Sequence, residues 1–212
     1  MRDFPVFTTQ YGVASLVLKE IPYTGRGYIV MRSTLDPEAL LNECMEFCVA
    51  VGAEQVYASG DQWLQKFPFH TSILKMQCPR DSLEETEAAL WPVEEKTLEH
   101  WRMLYNEKSI KIPNGAWLSE RECKNLLKEA DAYFVHWDHQ LLGTGLVTNN
   151  EILWVSSLVQ GKGAEVVRAL AHAMTTDVLE LDVASENKKA FDLYKRLGFI
   201  VIEEKSRWYR VR

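Results

Sequence analysis

The chain has 212 residues, enough for one large domain or two small ones with a sizeable core. Hydrophobic residues make up 47% of it and charged residues 25%, as in globular proteins, and no apolar run approaches the roughly 20 residues of a membrane span. The net charge of -6, with no basic stripe, argues against nucleic-acid binding and fits a neutral or cationic partner such as an amine. Because residues 1–5 also lack a signal-peptide profile, we expect a cytoplasmic protein.

The four cysteines show no CxxC spacing that would indicate a metal or redox site. Cys44 and Cys48 lie one helical turn apart, but no pair of histidines accompanies them as further ligands. We therefore expect the cysteines to be small, buried, apolar side chains.

Residues 1–80 predict several strands and one helix. Strands are expected at residues 14–18, 28–31, 55–58 and 73–76, which are rich in β-branched, aromatic and other apolar residues. Between the second and third strands, Thr34 or Asp36 begins a helix that has Pro37 in its first turn and ends at Gly52.

Residues 78–87 are polar and acidic and include Pro79, which makes them the best candidate for a domain boundary. After them we expect a strand at 90–93, helices at 94–106 and 119–130, and strands at 132–137, 141–147 and 152–159. Ser119 and Glu122 form a capping box at the second helix. Asp138 and His139 form the turn of a hairpin.

The last of these strands leads through Gln160-Gly161-Lys162-Gly163 directly into another amphipathic helix. Glycines at such a junction let the backbone turn sharply and leave the first helical N–H groups unblocked, so that a phosphate can bind at the positive end of the helix dipole. A simple tight turn would have the same spacing. A strand at 178–183, a helix at 188–197 closed by Gly198, and a strand at 199–202 follow.

Two groups of residues here resemble motifs of the GNAT family of acetyl-CoA-dependent N-acetyltransferases. Gln160 and Gly163 match its pyrophosphate motif, in which Arg or Gln is followed three residues later by Gly and two further on by Gly or Ala. Glu165 departs from the last of these positions. The family's more specific second signature is matched by Asn187, Ala190, Leu193, Tyr194, Gly198 and Phe199.

The resemblance covers about residues 90 to 212 and implies an α/β (α+β) fold, with a mixed, mainly antiparallel sheet flanked by helices. It places a GNAT acetyltransferase domain at residues 88–212. Residues 1–80 have a similar outline and look like a degenerate or partial copy of the same fold. The turn between residues 31 and 38 holds no glycine, so we expect no cofactor in that half and assign it the role of covering the sheet or the substrate cleft.

By the same resemblance, acetyl-CoA is the acyl donor. Its thioester carbonyl would face the strand formed by Val155, Ser156 and Ser157, and Asn187 would hold its pantetheine arm. Tyr194 would protonate the leaving thiolate, although its apolar neighbours also fit a core tyrosine. The pyrophosphate would bind the amides of Gln160, Gly161, Lys162, Gly163, Ala164 and Glu165. Positive charge near the phosphates would come from Lys162, Lys188, Lys189 and Arg196.

The Glu165 carboxylate would repel a bound pyrophosphate if it pointed inward, and would cost little if it pointed outward. Four residues could serve as general base, namely Glu151, Glu180, His136 and His139, and none is singled out. Trp101, Tyr105 and Trp117 are candidate walls of the acceptor pocket by resemblance, with core packing as the alternative for each. Ser156 and Ser157 have no recognisable triad partners, which argues against a serine hydrolase.

The sequence thus predicts an N-acetyltransferase that transfers an acetyl or other acyl group to a primary amine of a small acceptor. It predicts no nucleic-acid or membrane partner and either a monomer or a homodimer. The alternative is a non-catalytic acyl-CoA-binding or regulatory module on the same fold, which Glu165 favours and Tyr194 opposes.

Overall fold

The computed structural model describes residues 5–212 and separates into two compact units. The first unit contains the described residues up to Ser72 together with Lys205–Arg212, and the second contains Ile73–Glu204. Residues 1–4, on which the signal-peptide expectation partly rests, lie outside the described part. Within residues 5–212, no helix has the length and apolar character needed to cross a membrane.

Strands and helices alternate along most of the chain. In order they are β1 (Val6–Thr9), β2 (Gly12–Val17), α1 (Ile21–Thr24), β3 (Arg26–Thr34), α2 (Pro37–Ala50), β4 (Gln55–Ser59), β5 (Phe69–Pro79), β6 (Ala89–Pro92), α3 (Leu98–Ser109), α4 (Glu120–Leu126), β7 (Asp131–Trp137), β8 (Gln140–Val147), β9 (Glu151–Ser157), α5 (Gly163–His172), β10 (Val178–Ala184), α6 (Lys188–Arg196) and β11 (Ile200–Arg210). Short 3-10 helices occupy Gln62–Lys66, Arg80–Ser82 and Glu95–Thr97. The short elements β1 and α1 were not predicted, because four residues are too few to show a hydrophobic period.

In the first unit the strands run in the order β1-β2-β3-β4, followed by the last residues of β11. Only β3 and β4 are parallel among the described pairs of this unit, and α2 is the helix that connects them. Asp36, one of the two predicted starting residues, is the N-cap of α2, and its carboxylate accepts a hydrogen bond from the Ala39 amide at 3.0 Å. The buried side chains that α2 shares with β2 and β3 are Ala14, Leu16, Ile29, Met31, Leu40, Leu41, Cys44 and Cys48.

Cys44, Cys48, Cys78 and Cys123 are all buried and free, as predicted. Burial raises the pKa of Cys44 to about 12 and that of Cys48 to about 11, so both remain thiols at neutral pH. Among residues 5–212, no cluster of histidine, cysteine and acidic side chains has the arrangement of a metal site.

In the second unit the order is β5-β10-β9-β8-β7-β6. β9 and β10 are parallel, and the other neighbours are antiparallel, which confirms the predicted mixed and mainly antiparallel sheet. Helices cover both faces: Phe134 on β7 packs in the cluster that contains Trp101 of α3, while Val135 packs in the cluster that contains Val166 of α5. The turn between β9 and α5 is therefore supported by a sheet that is packed on both sides.

Most predicted elements are found with small changes in their ends. The capping box of Ser119 and Glu122 is confirmed, but α4 ends at Leu126, four residues earlier than predicted. β9 ends at Ser157 instead of residue 159, because the Ser157 hydroxyl donates to the Val159 carbonyl at 2.6 Å and the chain turns there. Gly198 adopts a φ of +94° after α6, as its position at a helix end predicted.

The close approach of β8 to β9 predicts a strong effect of a single methyl group at Gly143. A Cβ atom there would lie 2.1 Å from the Ser156 carbonyl oxygen, a backbone atom that cannot move without distorting β9. We expect Gly143→Ala to lower the free energy of unfolding by about 3 kcal/mol in urea denaturation. Gly161→Ala is the control, since nothing lies within 4 Å of its Cβ position and only its φ of +83° is unfavourable; it should cost about 1 kcal/mol. Equal losses of unfolding free energy in the two variants would contradict a steric clash at Gly143.

Candidate functional site

The central feature of the candidate site is a gap between two parallel strands. β9 and β10 pair at only two positions, Glu151 with Glu180 and Ile152 with Leu181. Beyond them β9 stays paired with β8, and β10 stays paired with β5, on their outer sides. Within the described residues no pairing joins β9 to β10 along 153–157, so the edge of β9 that faces β10 has no strand partner there.

A β-bulge accounts for this gap. Leu146 of β8 lies opposite Trp154 and Val147 lies opposite Ile152, which leaves Leu153 as an extra residue in β9. A bulge bends its strand and increases the local twist. β9 leaves β10 at this residue, and the second half of β9 then runs toward the glycine turn.

The turn after β9 ends at the exposed N-terminus of α5. The Lys162 amide donates to the Val159 carbonyl at 3.2 Å, and the first backbone bond into the helix is from Val166 to the Lys162 carbonyl, also at 3.2 Å. The amides of Gly163, Ala164 and Glu165 precede that bond, and the N-cap residue Lys162 provides no side-chain cap. Of the six predicted donors, the Lys162 amide is therefore already used in the turn, while the three helical amides are placed to bind an anion.

The two glycines of the turn are needed for different reasons. Gly161 has a φ of +83°, a conformation that other residues rarely adopt. Gly163 permits close packing, because a Cβ atom there would lie 2.9 Å from Leu193 Cδ2 of α6. The N-terminus of α5 is thereby held against the helix that carries the second sequence signature.

Glu165 is not an unpaired charge at this helix end. Its Oε2 accepts a hydrogen bond from Thr86 Oγ1 at 2.6 Å, and its Oε1 accepts one from Arg168 Nη1 at 3.0 Å. Arg168 also forms an ion pair with Glu84. The carboxylate is held by these neighbours, and Arg168 offsets its charge. Sequence reasoning missed Arg168, although its position three residues after Glu165 on one helix was a usable signal.

Lys162 lies against an aromatic ring that the sequence did not associate with it. Its Nζ is 3.9 Å from the centroid of the Trp137 ring at the end of β7, a cation–π contact. The Trp137 indole N–H donates to Glu87 Oε2 at 3.2 Å. Of the other predicted cations, Lys188 pairs with Glu186 at 3.0 Å, and Lys189 and Arg196 are exposed.

The second signature places Asn187 at the N-cap of α6 and Tyr194 within that helix. Asn187 precedes the helix and is half-buried, and its side chain does not cap the helix. Tyr194 is buried, with its ring centroid 5.8 Å from that of Phe199, and no hydrogen-bond partner of its hydroxyl is found within residues 5–212. Burial raises the pKa of the Tyr194 phenol to about 12, so at neutral pH it carries a proton.

The two carboxylate candidates for the general base lie opposite each other at the start of the gap. Glu180 accepts hydrogen bonds from Lys75 Nζ at 2.6 Å and from Gln77 Nε2 at 2.5 Å. Its charge is therefore engaged within the sheet, which makes Glu180 the less suitable base. Glu151 is half-buried beside it.

The two histidine candidates differ strongly in environment. His139 lies exposed in the β7–β8 turn with a φ of +59°. The His136 ring stacks on Trp91, with centroids 4.2 Å apart, and its buried Nδ1 has no hydrogen-bond partner in the described part of the chain. Burial lowers the pKa of the His136 imidazole, which favours its neutral form.

The three aromatic candidates for the acceptor pocket separate into core and accessible residues. Trp101 is fully buried and its indole N–H donates to the Tyr133 carbonyl at 3.2 Å, so it is a core residue. Tyr105 is half-buried, with its ring centroid 4.2 Å from that of Trp154 on β9. Trp117 is also half-buried.

No family model matches the chain, and no curated protein matches it. Solved structures with the same fold do. A conserved protein of unknown function from Staphylococcus epidermidis ATCC 12228 aligns with a TM-score of 0.63 and 12% identity, over 98% of this chain and 93% of that chain. A GCN5-related N-acetyltransferase from Anabaena variabilis ATCC 29413 aligns with a TM-score of 0.64 and 13% identity, over 94% of this chain and 59% of that chain.

A tandem GNAT protein from the clavulanic acid biosynthesis pathway aligns with a TM-score of 0.54 and 12% identity, over 94% of this chain and 78% of that chain. Identities this low establish the fold alone. The chain therefore has the GNAT fold, and its chemistry has to be argued from the site.

The buried phenol predicts how stability changes in alkaline solution. An unfolded tyrosine ionises near pH 10, whereas Tyr194 keeps its proton to about 12, so the unfolded state binds fewer protons between these values. The free energy of unfolding should therefore be unaffected by this group below about pH 10 and fall between about pH 10 and 12. Burial raises the pKa of Tyr28 to about 12 as well, so it contributes to the same fall.

Absorbance titration of tyrosinate measures this directly. Tyr194→Phe should remove one tyrosine from the group that ionises near pH 12, and should make the alkaline loss of stability shallower. Loss of a tyrosine that ionises near 10 would contradict the burial assigned to Tyr194.

Proposed function

We propose that this protein is an N-acyltransferase that transfers an acetyl or other acyl group from CoA to a primary amine of a small acceptor. The observation that carries the proposal is the position of the gap between β9 and β10, which opens directly beside the uncapped N-terminus of α5. An extended arm and a pyrophosphate can bind together where a strand edge and a helix N-terminus meet in this way.

The residues present fit acyl-CoA. The amides of Gly163, Ala164 and Glu165 suit its pyrophosphate, and the unpaired edge of β9 suits an extended pantetheine arm. The Asn187 side chain is not used as a helix cap and can bond amides of that arm. Acyl-CoA supplies the acyl group as an activated thioester.

The charges around the turn support anion binding. Lys162 is held beside the turn by Trp137, which limits its freedom without neutralising it. Arg168 offsets the Glu165 carboxylate, so the repulsion expected from the sequence is reduced. The helix dipole adds its positive end at the same place.

Acyl transfer also needs a polarised carbonyl. A backbone N–H on the β9 edge within residues 155–157 would donate to the thioester oxygen as negative charge develops on it. Such an amide is fixed by the pairing of β9 with β8 on the opposite edge, for example of Ser156 with Thr144. A donor that is already oriented requires no rearrangement during the reaction.

Tyr194 would hold the proton that the leaving thiolate receives. A phenol with a pKa of about 12 remains protonated at neutral pH and can act as a donor. Its hydroxyl has no competing hydrogen-bond partner within the described chain. The same burial that places it among core residues therefore also suits the role of general acid.

An amine acceptor fits the charge of the second unit. Residues 73–204 contain 22 acidic and 15 basic residues, a distribution that attracts a cationic amine. The amine must lose a proton before attack. Glu180 is the less suitable candidate for accepting it, because it is bonded to Lys75 and Gln77.

A non-catalytic acyl-CoA-binding module is the second candidate, and Glu165 at the phosphate position is the observation that favours it. In that case the fold would persist and the chemistry would be absent. Binding and turnover have to be measured separately to distinguish the two functions.

The pairing of Glu165 predicts its effect on acetyl-CoA binding. Because Arg168 and Thr86 hold the carboxylate, we expect the unmodified protein to bind acetyl-CoA in calorimetric titration. Glu165→Ala should change the Kd by less than about threefold, which corresponds to less than about 0.7 kcal/mol. Arg168→Gln should weaken binding more than Glu165→Ala does, since it leaves the carboxylate unpaired. Binding seen only with Glu165→Ala would show that the site has decayed.

The role of Tyr194 predicts a separation of turnover from binding. Tyr194→Phe should lower the rate of CoA thiol release, measured with a panel of small primary amines, by about a hundredfold or more. The Kd for acetyl-CoA should stay unchanged. Tyr133→Phe serves as the control for removing a hydroxyl from the same unit. An unchanged rate in Tyr194→Phe would eliminate the proposed acid, and the absence of turnover in the unmodified protein with every amine would favour the binding module.

A further inference from the structure

We propose that the first unit carries a separate binding site for a small anion: a basic groove beyond the carboxyl end of β4 that takes a molecule bearing carboxylate or phosphate groups. The groove has a volume of about 620 Å³, which is within the range of small-ligand sites. The residues around it all belong to the first unit. The proposal is independent of the proposed transferase function.

The groove exists because β4 is shorter than its two neighbours. β3 pairs with β4 only as far as Val30, opposite Ser59, and then continues to Thr34. On the other side β11 pairs with β4 at Ala58 and Tyr57 alone, so residues 205–208 run past its end. The space beyond the end of β4 is therefore a crevice between β3 and β11.

Three cationic residues line this space. Arg32 comes from β3, and Lys205 and Arg207 come from β11. The Arg32 Nε donates to Ser15 Oγ at 3.2 Å, and the rest of its guanidinium has no ion-pair or hydrogen-bond partner among residues 5–212. Its two terminal nitrogens are therefore available as a fork for a carboxylate or a phosphate.

The acidic residue at the groove, Asp61, is engaged by neighbouring groups. Asp61 Oδ2 accepts a hydrogen bond from the Thr34 hydroxyl at 2.5 Å, and Oδ1 accepts one from the Trp63 amide at 2.8 Å. Its carboxylate thus starts the 3-10 helix of residues 62–66. That helix adds the exposed amide side chains of Gln62 and Gln65, which can donate to further ligand oxygens.

Charge is distributed unevenly between the two units. Residues 1–72 and 205–212 contain nine basic and eight acidic residues, whereas the second unit is strongly acidic. Four of the nine are within the last eight residues of the chain. A basic groove on a protein of net charge -6 is a local concentration of charge, and it would raise the local concentration of anions.

The groove does not repeat the acyl-CoA site proposed for the second unit. β3 and β4 stay paired over five positions, and a Cβ at Gly60 would lie 2.2 Å from the Met31 carbonyl oxygen, so no gap opens between these strands. The N-terminus of α2 is already capped by the Asp36 carboxylate. The ligand is therefore a compact anion instead of a nucleotide with an extended arm.

Calorimetric titration with citrate and with inorganic phosphate, at constant ionic strength set by sodium chloride, tests the site. We expect saturable binding of at least one probe. Arg32→Gln should weaken it by about tenfold or more, the effect of losing one charge-assisted hydrogen bond. Lys19→Gln is the matched control: it removes the same charge from the same unit, outside the groove, and should leave the Kd unchanged.

Each outcome decides the proposal. The proposal is overturned if neither probe shows saturable binding at millimolar concentration. It is also overturned if Arg32→Gln and Lys19→Gln weaken binding equally, because the anion would then respond to the overall charge of the protein instead of to the groove. Preference for citrate or for phosphate identifies the anionic group. Arg207→Gln provides a second groove variant if thermal melting shows that Arg32→Gln is unfolded. Acetyl-CoA binding should be the same in all groove variants. The groove site is therefore tested independently of the transferase proposal.

Discussion

The candidate site depends on the bulge at Leu153. This extra residue bends β9 away from β10 after only two paired positions, so that two parallel strands become the walls of a gap. The pairing of β9 with β8 keeps the free edge rigid, and α5 begins where that edge ends. In the first unit β3 and β4 have no such bulge and stay paired through Val30 and Ser59. The same parallel arrangement therefore separates after two paired positions in one unit and stays paired over five in the other.

The N-terminus of α5 combines groups that attract an anion with one negative charge, the Glu165 carboxylate, which is paired. Three amides and the helix dipole attract an anion, and Lys162 is fixed beside them on Trp137. Glu165 would oppose binding if it were unpaired, but Arg168 and Thr86 hold it. An acidic residue in the first turn also stabilises a helix, so Glu165 supports α5 when no ligand is present. Its presence is thus compatible with a functional phosphate site.

The two units present different chemical groups near the ends of their strands. In the second unit acidic residues outnumber basic ones and the buried Tyr194 phenol is protonated, which supports the proposed amine acceptor and thiolate leaving group. In the first unit the early end of β4 leaves a groove whose side chains are mainly basic and amide. The described chain therefore has an unpaired strand edge in the second unit and a groove made by unequal strand length in the first.

The sequence by itself determined the local features of this protein: the Ser119 cap, a start of α2 at Thr34 or Asp36, the glycine turn and most strands. These features depend on residues close together in the chain, so composition and periodicity report them, whereas the mixed sheet was expected only from the family resemblance. Tertiary structure alone decided that Thr86 bonds Glu165 and that Trp101 is core. It also decided that the gap begins at Leu153 and that the last eight residues join the first unit. The reason is physical: strand pairing and side-chain contacts between distant segments are fixed by the packing of the whole sheet, which no local pattern records.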